Sequence, residues 1–241
     1  MSWTDKRAMS TIRDLQKEFL VDWFIETGTF RGINLAAHAP FFEGVLGIES
    51  DPSMVDISKY ATRRYLNVGI ANESSPEALR RIRLERDAKD TEIPLFYLDA
   101  HFYDPALPQD KRFVVKQELE ALEGYGDCVI VIHDFQTGDP ELGHITYDGV
   151  PLGWNVVGDA LRKVNPNFYY YCNSRQHSDI VTAEDVRKHT TPYPIEANAG
   201  VFEALDFVWS SPLKTYRGLL YCTPRPLDLT KYALKEFTYA L

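Results

Sequence analysis

The sequence has little sulfur and no strong excess of positive charge. Its 241 residues include three cysteines, Cys128, Cys172 and Cys222, spaced too far apart for a zinc knuckle or a CxxC redox pair. Each lies in an apolar, strand-like run, as expected of small buried hydrophobes in a reducing compartment. No stretch approaches the roughly 18 consecutive apolar residues of a membrane span, and the N-terminal MSWTDKRAMSTIRDLQKEF is too polar for a secretory signal. A soluble, cytoplasmic protein with no membrane partner is expected. Basic residues number 26 against 35 acidic ones, a formal charge of −9, so the overall field repels nucleic acid. A small-molecule partner is favoured, and a homo-oligomer is compatible with this composition. Repeats and low-complexity tracts are absent, and so is a complete G-x-G-x-x-G dinucleotide fingerprint.

What is present is an alternation of strand and helix signals. With 44% hydrophobic residues, the chain is long enough for one substantial core. Strands are predicted at Val21–Glu26, Gly44–Glu49, Tyr65–Ile70, Pro94–Leu98, Cys128–Ile132, Phe168–Cys172 and Leu219–Cys222. Helices are predicted over Leu35–Phe42, Pro52–Tyr65, Pro76–Asp87, Lys111–Leu122 and Val156–Val164. This rhythm implies an α/β fold: a doubly wound, mostly parallel, seven-stranded sheet with helices on both faces. The whole of 1–241 reads as one domain, with a cofactor-binding half over 20–135 and a substrate-side half over 136–241. A lid-like insertion is expected at about 173–205, where Pro192 and Pro194 interrupt a weakly periodic stretch. In the run Tyr169-Tyr170-Tyr171, alternate faces should place one ring in the core and one in solvent.

Ligands of open parallel sheets bind outside the carboxyl ends of the strands, which directs attention to the residues that terminate them. The first strand ends in Glu26-Thr27-Gly28-Thr29-Phe30-Arg31-Gly32, where glycines allow close backbone approach and a following helix offers free N–H groups. The second ends on Glu49, suitably placed for an acid that accepts hydrogen bonds from a ribose diol. The third and fourth relevant ends, Leu98-Asp99-Ala100-His101 and Ile132-His133-Asp134-Phe135, bring together two carboxylates and two imidazoles. Asp99, Asp134 and His133 are candidate ligands for a divalent cation, magnesium if oxygen dominates and manganese, iron or zinc if an imidazole joins. Equally, His101 or His133 can act as a general base oriented by Asp99 or Asp134, or all four can cap turns without chemistry. His144, Tyr147 and Asp148 lie in a loop that could shape a pocket. Arg175, His177 and His189 lie in the expected lid.

The segments ETGTFRG, GIESD, NESSPEAL and FYLDAH, in that order over Trp23 to Phe135, resemble the class I (Rossmann-like) S-adenosylmethionine-dependent methyltransferases, including small-molecule O-methyltransferases. The resemblance implies that Glu26, Thr27, Gly28, Thr29 and Gly32 face the methionine part of the cofactor. It implies further that Glu49 holds the ribose hydroxyls and that Asn72 and Ser74 lie near the adenine, with Asp99 also on the cofactor side. Metal-dependent members place acidic ligands where Asp99 and Asp134 stand, but Phe135 occupies the position of a further ligand, and the turn has two glycines where many members have three. The expected activity is O-methylation of a small hydroxylated acceptor using S-adenosylmethionine, with Mg2+ or Mn2+ as the candidate metal. Two other readings are a non-catalytic protein that binds an adenosine-type ligand and a nicotinamide-dependent oxidoreductase, the latter demoted because Thr29 and Phe30 break its fingerprint.

Overall fold

The computed structural model describes residues 6–85, 92–101, 106–108, 112–140, 142–173 and 216–238. Helix α1 (Lys6–Phe19) leads into β1 (Trp23–Thr27), α2 (Ile33–His38), β2 (Gly44–Glu49), α3 (Pro52–Thr62), β3 (Val68–Asn72), α4 (Ser75–Glu85), β4 (Leu95–Leu98), α5 (Val114–Ala121) and β5 (Val129–His133). The short strands β6 (Leu142–Gly143), β7 (Thr146–Tyr147) and β8 (Val150–Pro151) follow, then α6 (Trp154–Val164), β9 (Tyr169–Asn173), β10 (Tyr216–Arg217), β11 (Leu219–Thr223) and β12 (Leu234–Glu236). Among these residues no helix is long and apolar enough to cross a membrane.

The main sheet runs β12-β9-β11-β5-β4-β1-β2-β3. Strands β3, β2, β1, β4 and β5 are mutually parallel, whereas β11 is antiparallel to both β5 and β9. The sheet has eight strands where the sequence predicts seven. The extra strand is β12, which adds antiparallel to β9. Its Leu-Lys-Glu triplet is a short, largely exposed edge with too little apolar pattern to be read, and charge on an edge strand discourages further pairing.

Alternation along the strands builds two apolar layers. On one face Phe96, Leu98, Ile130, Ile132 and Leu220 pack with Leu79, Leu119, Val157 and Leu161 from α4, α5 and α6. On the other, Phe24, Val45, Tyr97, Val131 and Tyr221 pack with Ile12 and Leu15 of α1 and Leu35 of α2. Burying each large side chain in these layers contributes about 2 kcal/mol. The helix predicted to reach Phe42 stops at His38, and a short 3-10 turn containing Pro40 completes the connection. Of the three tyrosines, Tyr169 is exposed, while Tyr170 and Tyr171 are both buried because both faces of β9 are covered. The ring of Tyr170 meets Trp154 edge-on, and the hydroxyl of Tyr171 accepts the Leu227 N–H. All three cysteines are buried and free.

Candidate functional site

The parallel register aligns the strand ends that matter. Thr27 pairs with Ile48 and with Leu98, Glu49 pairs with Asn72, and Leu98 pairs with Ile132. Glu26 to Gly32, Glu49, Asn72, Ser74, Asp99, His101, His133 and Asp134 therefore share one edge of the sheet.

The turn after β1 is tied to β2, since Gly28 and Thr29 both donate backbone N–H groups to the Ile48 carbonyl. Gly28, Phe30 and Gly32 all have positive φ, of 69°, 52° and 71°. The left-handed position at which this turn has no glycine is thus held by Phe30, a strained conformation for a side chain of that size. At Gly28 the backbone of β4 comes so near that a Cβ would lie 2.6 Å from the Asp99 carbonyl oxygen, so no larger residue fits. Glu49 clamps the rim: its two carboxylate oxygens accept the N–H groups of Phe30 at 2.8 Å and Asp51 at 2.9 Å.

Several expected cofactor residues also hold the turn together. Thr27 is buried and its hydroxyl oxygen accepts the Asp99 N–H. The Thr29 hydroxyl donates to the Ile48 carbonyl, and the Asn72 carboxamide donates to the carbonyls of Glu49 and Ser50. At the start of α4 the Ser74 hydroxyl donates to Glu77. The Glu26 carboxyl is buried, accepts the Asn34 carboxamide N–H at 2.6 Å through one oxygen and, among the described residues, finds no hydrogen bond for the other. Burial pushes its pKa well above the ordinary range, against the opposing pull of Asn34.

Beside this turn the ends of β4 and β5 converge. His133 Nδ1 lies 2.8 Å from Asp99 Oδ1 and 3.3 Å from Asp134 Oδ1. His101 Nε2 lies 3.3 Å from Asp99 Oδ1 and 3.1 Å from Asp134 Oδ2. One donor atom from each of the four residues falls within 4.8 Å of all the others. Asp134 itself adopts a positive φ of 60°, which turns its carboxylate toward this cluster. Burial opposes ionisation of both aspartates, yet the facing imidazoles hold both well below the usual carboxylate range, with Arg217 assisting at Asp134. For His101 burial works the other way, but hydrogen bonds from its ring to Asp134 and Asp99 raise it to about 9.

Two residues not singled out by the sequence reading belong here. Arg217, on β10, places its Nε against Asp134 Oδ1. Glu118, on α5, is fully buried beneath the cluster, facing Ser75 and Thr27, and burial raises it to about 7. A signal for Glu118 was available: it falls on the apolar stripe of Val115, Leu119 and Leu122, where helical periodicity puts a carboxyl in the core. For Arg217 no sequence pattern sets it apart. Tyr147 is buried near Asp134, whereas Asp148 is exposed and pairs with Arg112. Arg175, His177 and His189, and nearly all of the insertion expected at 173–205, lie outside the described residues.

No protein-family model and no curated protein matches the chain. Among solved structures, an O-methyltransferase from Bacillus cereus in complex with SAH is similar over 90% of this chain and 80% of that one, at 13% identity and a TM-score of 0.50. A SAM-dependent methyltransferase from Anabaena variabilis aligns over 92% and 87% of the two chains, at 15% identity and a TM-score of 0.46. The N-methyltransferase NodS from Bradyrhizobium japonicum aligns over 92% and 96%, at 12% identity and a TM-score of 0.46. The likeness to the Bacillus cereus structure shows the fold: this chain has the Rossmann-like methyltransferase fold.

Proposed function

We propose that the protein is an S-adenosylmethionine-dependent methyltransferase that methylates an oxygen of a small hydroxylated molecule. The observation that carries this reading is a single edge of the sheet. There, a left-handed turn packed against β4 and a Glu49 clamp adjoin two carboxylates and two imidazoles. The first pair of features suits an adenosine cofactor and the second suits proton removal from an acceptor.

In the reaction, the acceptor oxygen loses its proton and attacks the sulfonium methyl in line. A C–O bond forms, the S–CH3 bond breaks and S-adenosylhomocysteine leaves. His101, a quarter exposed at the edge of the cluster, receives the proton when its ring is neutral, and because Asp99 and Asp134 orient that ring and favour its charged form, turnover should rise as pH climbs toward about 9. His133 is buried between the same two carboxylates and fixes their separation.

The donor set also fits a divalent cation. Ligands that share an ion at about 2.1 Å stand about 3 Å apart, and the separations between His133 and the two carboxylates are 2.8 and 3.3 Å. Asp99, Asp134 and His133 would hold it, and it would polarise the acceptor oxygen. Phe135 is fully buried and supplies no ligand, so an imidazole completes the set, which favours manganese over magnesium.

A nicotinamide oxidoreductase is less well supported, because the antiparallel β11 beside β5 departs from the parallel dinucleotide-binding sheet. The test is calorimetric titration with S-adenosylhomocysteine, with and without magnesium or manganese. Binding is expected, with about a tenfold or greater loss in Glu49→Ala from the lost ribose hydrogen bonds. The absence of binding in every condition would overturn the reading.

A further inference from the structure

Arg217 stands on the acceptor side of the cluster, and its backbone is fixed from three directions. The Asn173 carboxamide donates to the Arg217 carbonyl at 2.9 Å and accepts the Leu219 N–H at 2.8 Å. Gly218 exchanges with the other strands, accepting the Phe135 N–H at 2.9 Å and donating to the Gly143 carbonyl at 2.8 Å. A Cβ at Gly218 would meet the Phe135 carbonyl oxygen at 2.1 Å, so the chain is pressed against the end of β5. An arginine mounted in this way is positioned by the sheet, unlike a solvated surface arginine whose backbone wanders.

Its guanidinium is only partly used. Nε contacts Asp134 Oδ1, while among the described residues neither terminal amino group meets a protein acceptor. The side chain is 28% exposed, so solvent reaches part of it. Asp134 serves as an anchor: it fixes the plane of the guanidinium and leaves a planar, charged edge beside the cluster where the acceptor oxygen reacts. Such an edge matches a carboxylate or phosphate through paired hydrogen bonds. The cation also suits an anionic acceptor because the chain as a whole carries a charge of −9, whose field would otherwise disfavour its approach.

We propose that Arg217 is a specificity-determining residue that binds an anionic group of the acceptor, so that the acceptor is a hydroxylated acid whose carboxylate or phosphate lies close to the hydroxyl that is methylated. This rests on the methyltransferase reading for its chemistry. The same fork could instead serve the carboxylate of the cofactor, and the experiment separates the two.

Wild type, Arg217→Gln and Arg217→Lys are titrated with S-adenosylhomocysteine, and then, with and without it, with salicylate, inorganic phosphate and the neutral catechol. Circular dichroism confirms that each variant is folded. Salicylate or phosphate is expected to bind the wild type in the millimolar range or tighter and to lose about tenfold or more in Arg217→Gln. Arg217→Lys should fall between the two, because it keeps the charge and loses the fork. S-adenosylhomocysteine affinity should change less than about twofold, since no charged partner of the cofactor is removed. The proposal is overturned if catechol binds as well as salicylate, if Arg217→Gln leaves anion binding unchanged, if neither anion binds the wild type, or if the variant's main loss is in S-adenosylhomocysteine affinity. Failure of S-adenosylhomocysteine to bind the wild type would remove the methyltransferase reading alone, and the titrations without it would still decide whether Arg217 holds an anion.

Discussion

Replacing Glu118 by glutamine removes a carboxyl that the fold keeps in the core, and the structure sets the sign and size of the effect. Burial lifts this group from 4.5 to about 7, opposed by the hydroxyls of Ser75 and Thr27 and by His101, and assisted by Asp99. The folded protein therefore holds the proton more tightly than the unfolded chain. The carboxyl costs nothing below pH 4.5, penalises folding progressively as pH rises from 4.5 to about 7, and reaches its full cost above that. Between pH 5 and pH 8 the penalty grows by about 2–3 kcal/mol on standard linkage. Glutamine keeps the size and the hydrogen-bonding atoms but cannot ionise. Urea unfolding of wild type and Glu118→Gln at several pH values should show the variant gaining on the wild type by about 2–3 kcal/mol across that interval. Parallel stability curves would refute the argument, because they would mean that Glu118 is no harder to ionise in the fold than in the unfolded chain.

Gly28→Ala should cost about 2–4 kcal/mol in urea unfolding, because alanine meets both the left-handed backbone and the β4 backbone. The same variant should bind S-adenosylhomocysteine more weakly. Asn34→Ala removes the carboxamide hydrogen bond to the buried Glu26 carboxyl and should lower stability by about 1–3 kcal/mol. If the Asn34→Ala loss is absent at neutral pH, Glu26 is satisfied in some other way.

The parts of the fold legible in the sequence are those where local pattern and tertiary role agree. Strands β1, β2, β4 and β5 are short apolar runs ending at a glycine or an acid, and each lies within a residue or two of its predicted place. The third strand is displaced, because Tyr65 closes the turn after α3 through its N–H to Thr62 and the ladder starts only at Val68. The candidate residues at strand ends could be grouped together because the parallel topology makes position along the chain equivalent to position on one edge. That Asp99, His101, His133 and Asp134 meet within hydrogen-bonding distance was open until the β4–β5 register was known. Arg217 was illegible for a different reason: it approaches Asp134 from 83 residues away, on the two-residue strand β10, whose pairing with β6 no local signal fixes.

The side chain of Asn173 joins two points that are 44 residues apart in the chain and adjacent in space, tying the end of β9 to the junction of β10 and β11. One carboxamide thus couples the sheet to the seat of Arg217, and a change at Asn173 acts at a distance: Asn173→Ala should loosen the backbone that carries the guanidinium while leaving the Glu49 clamp as it is.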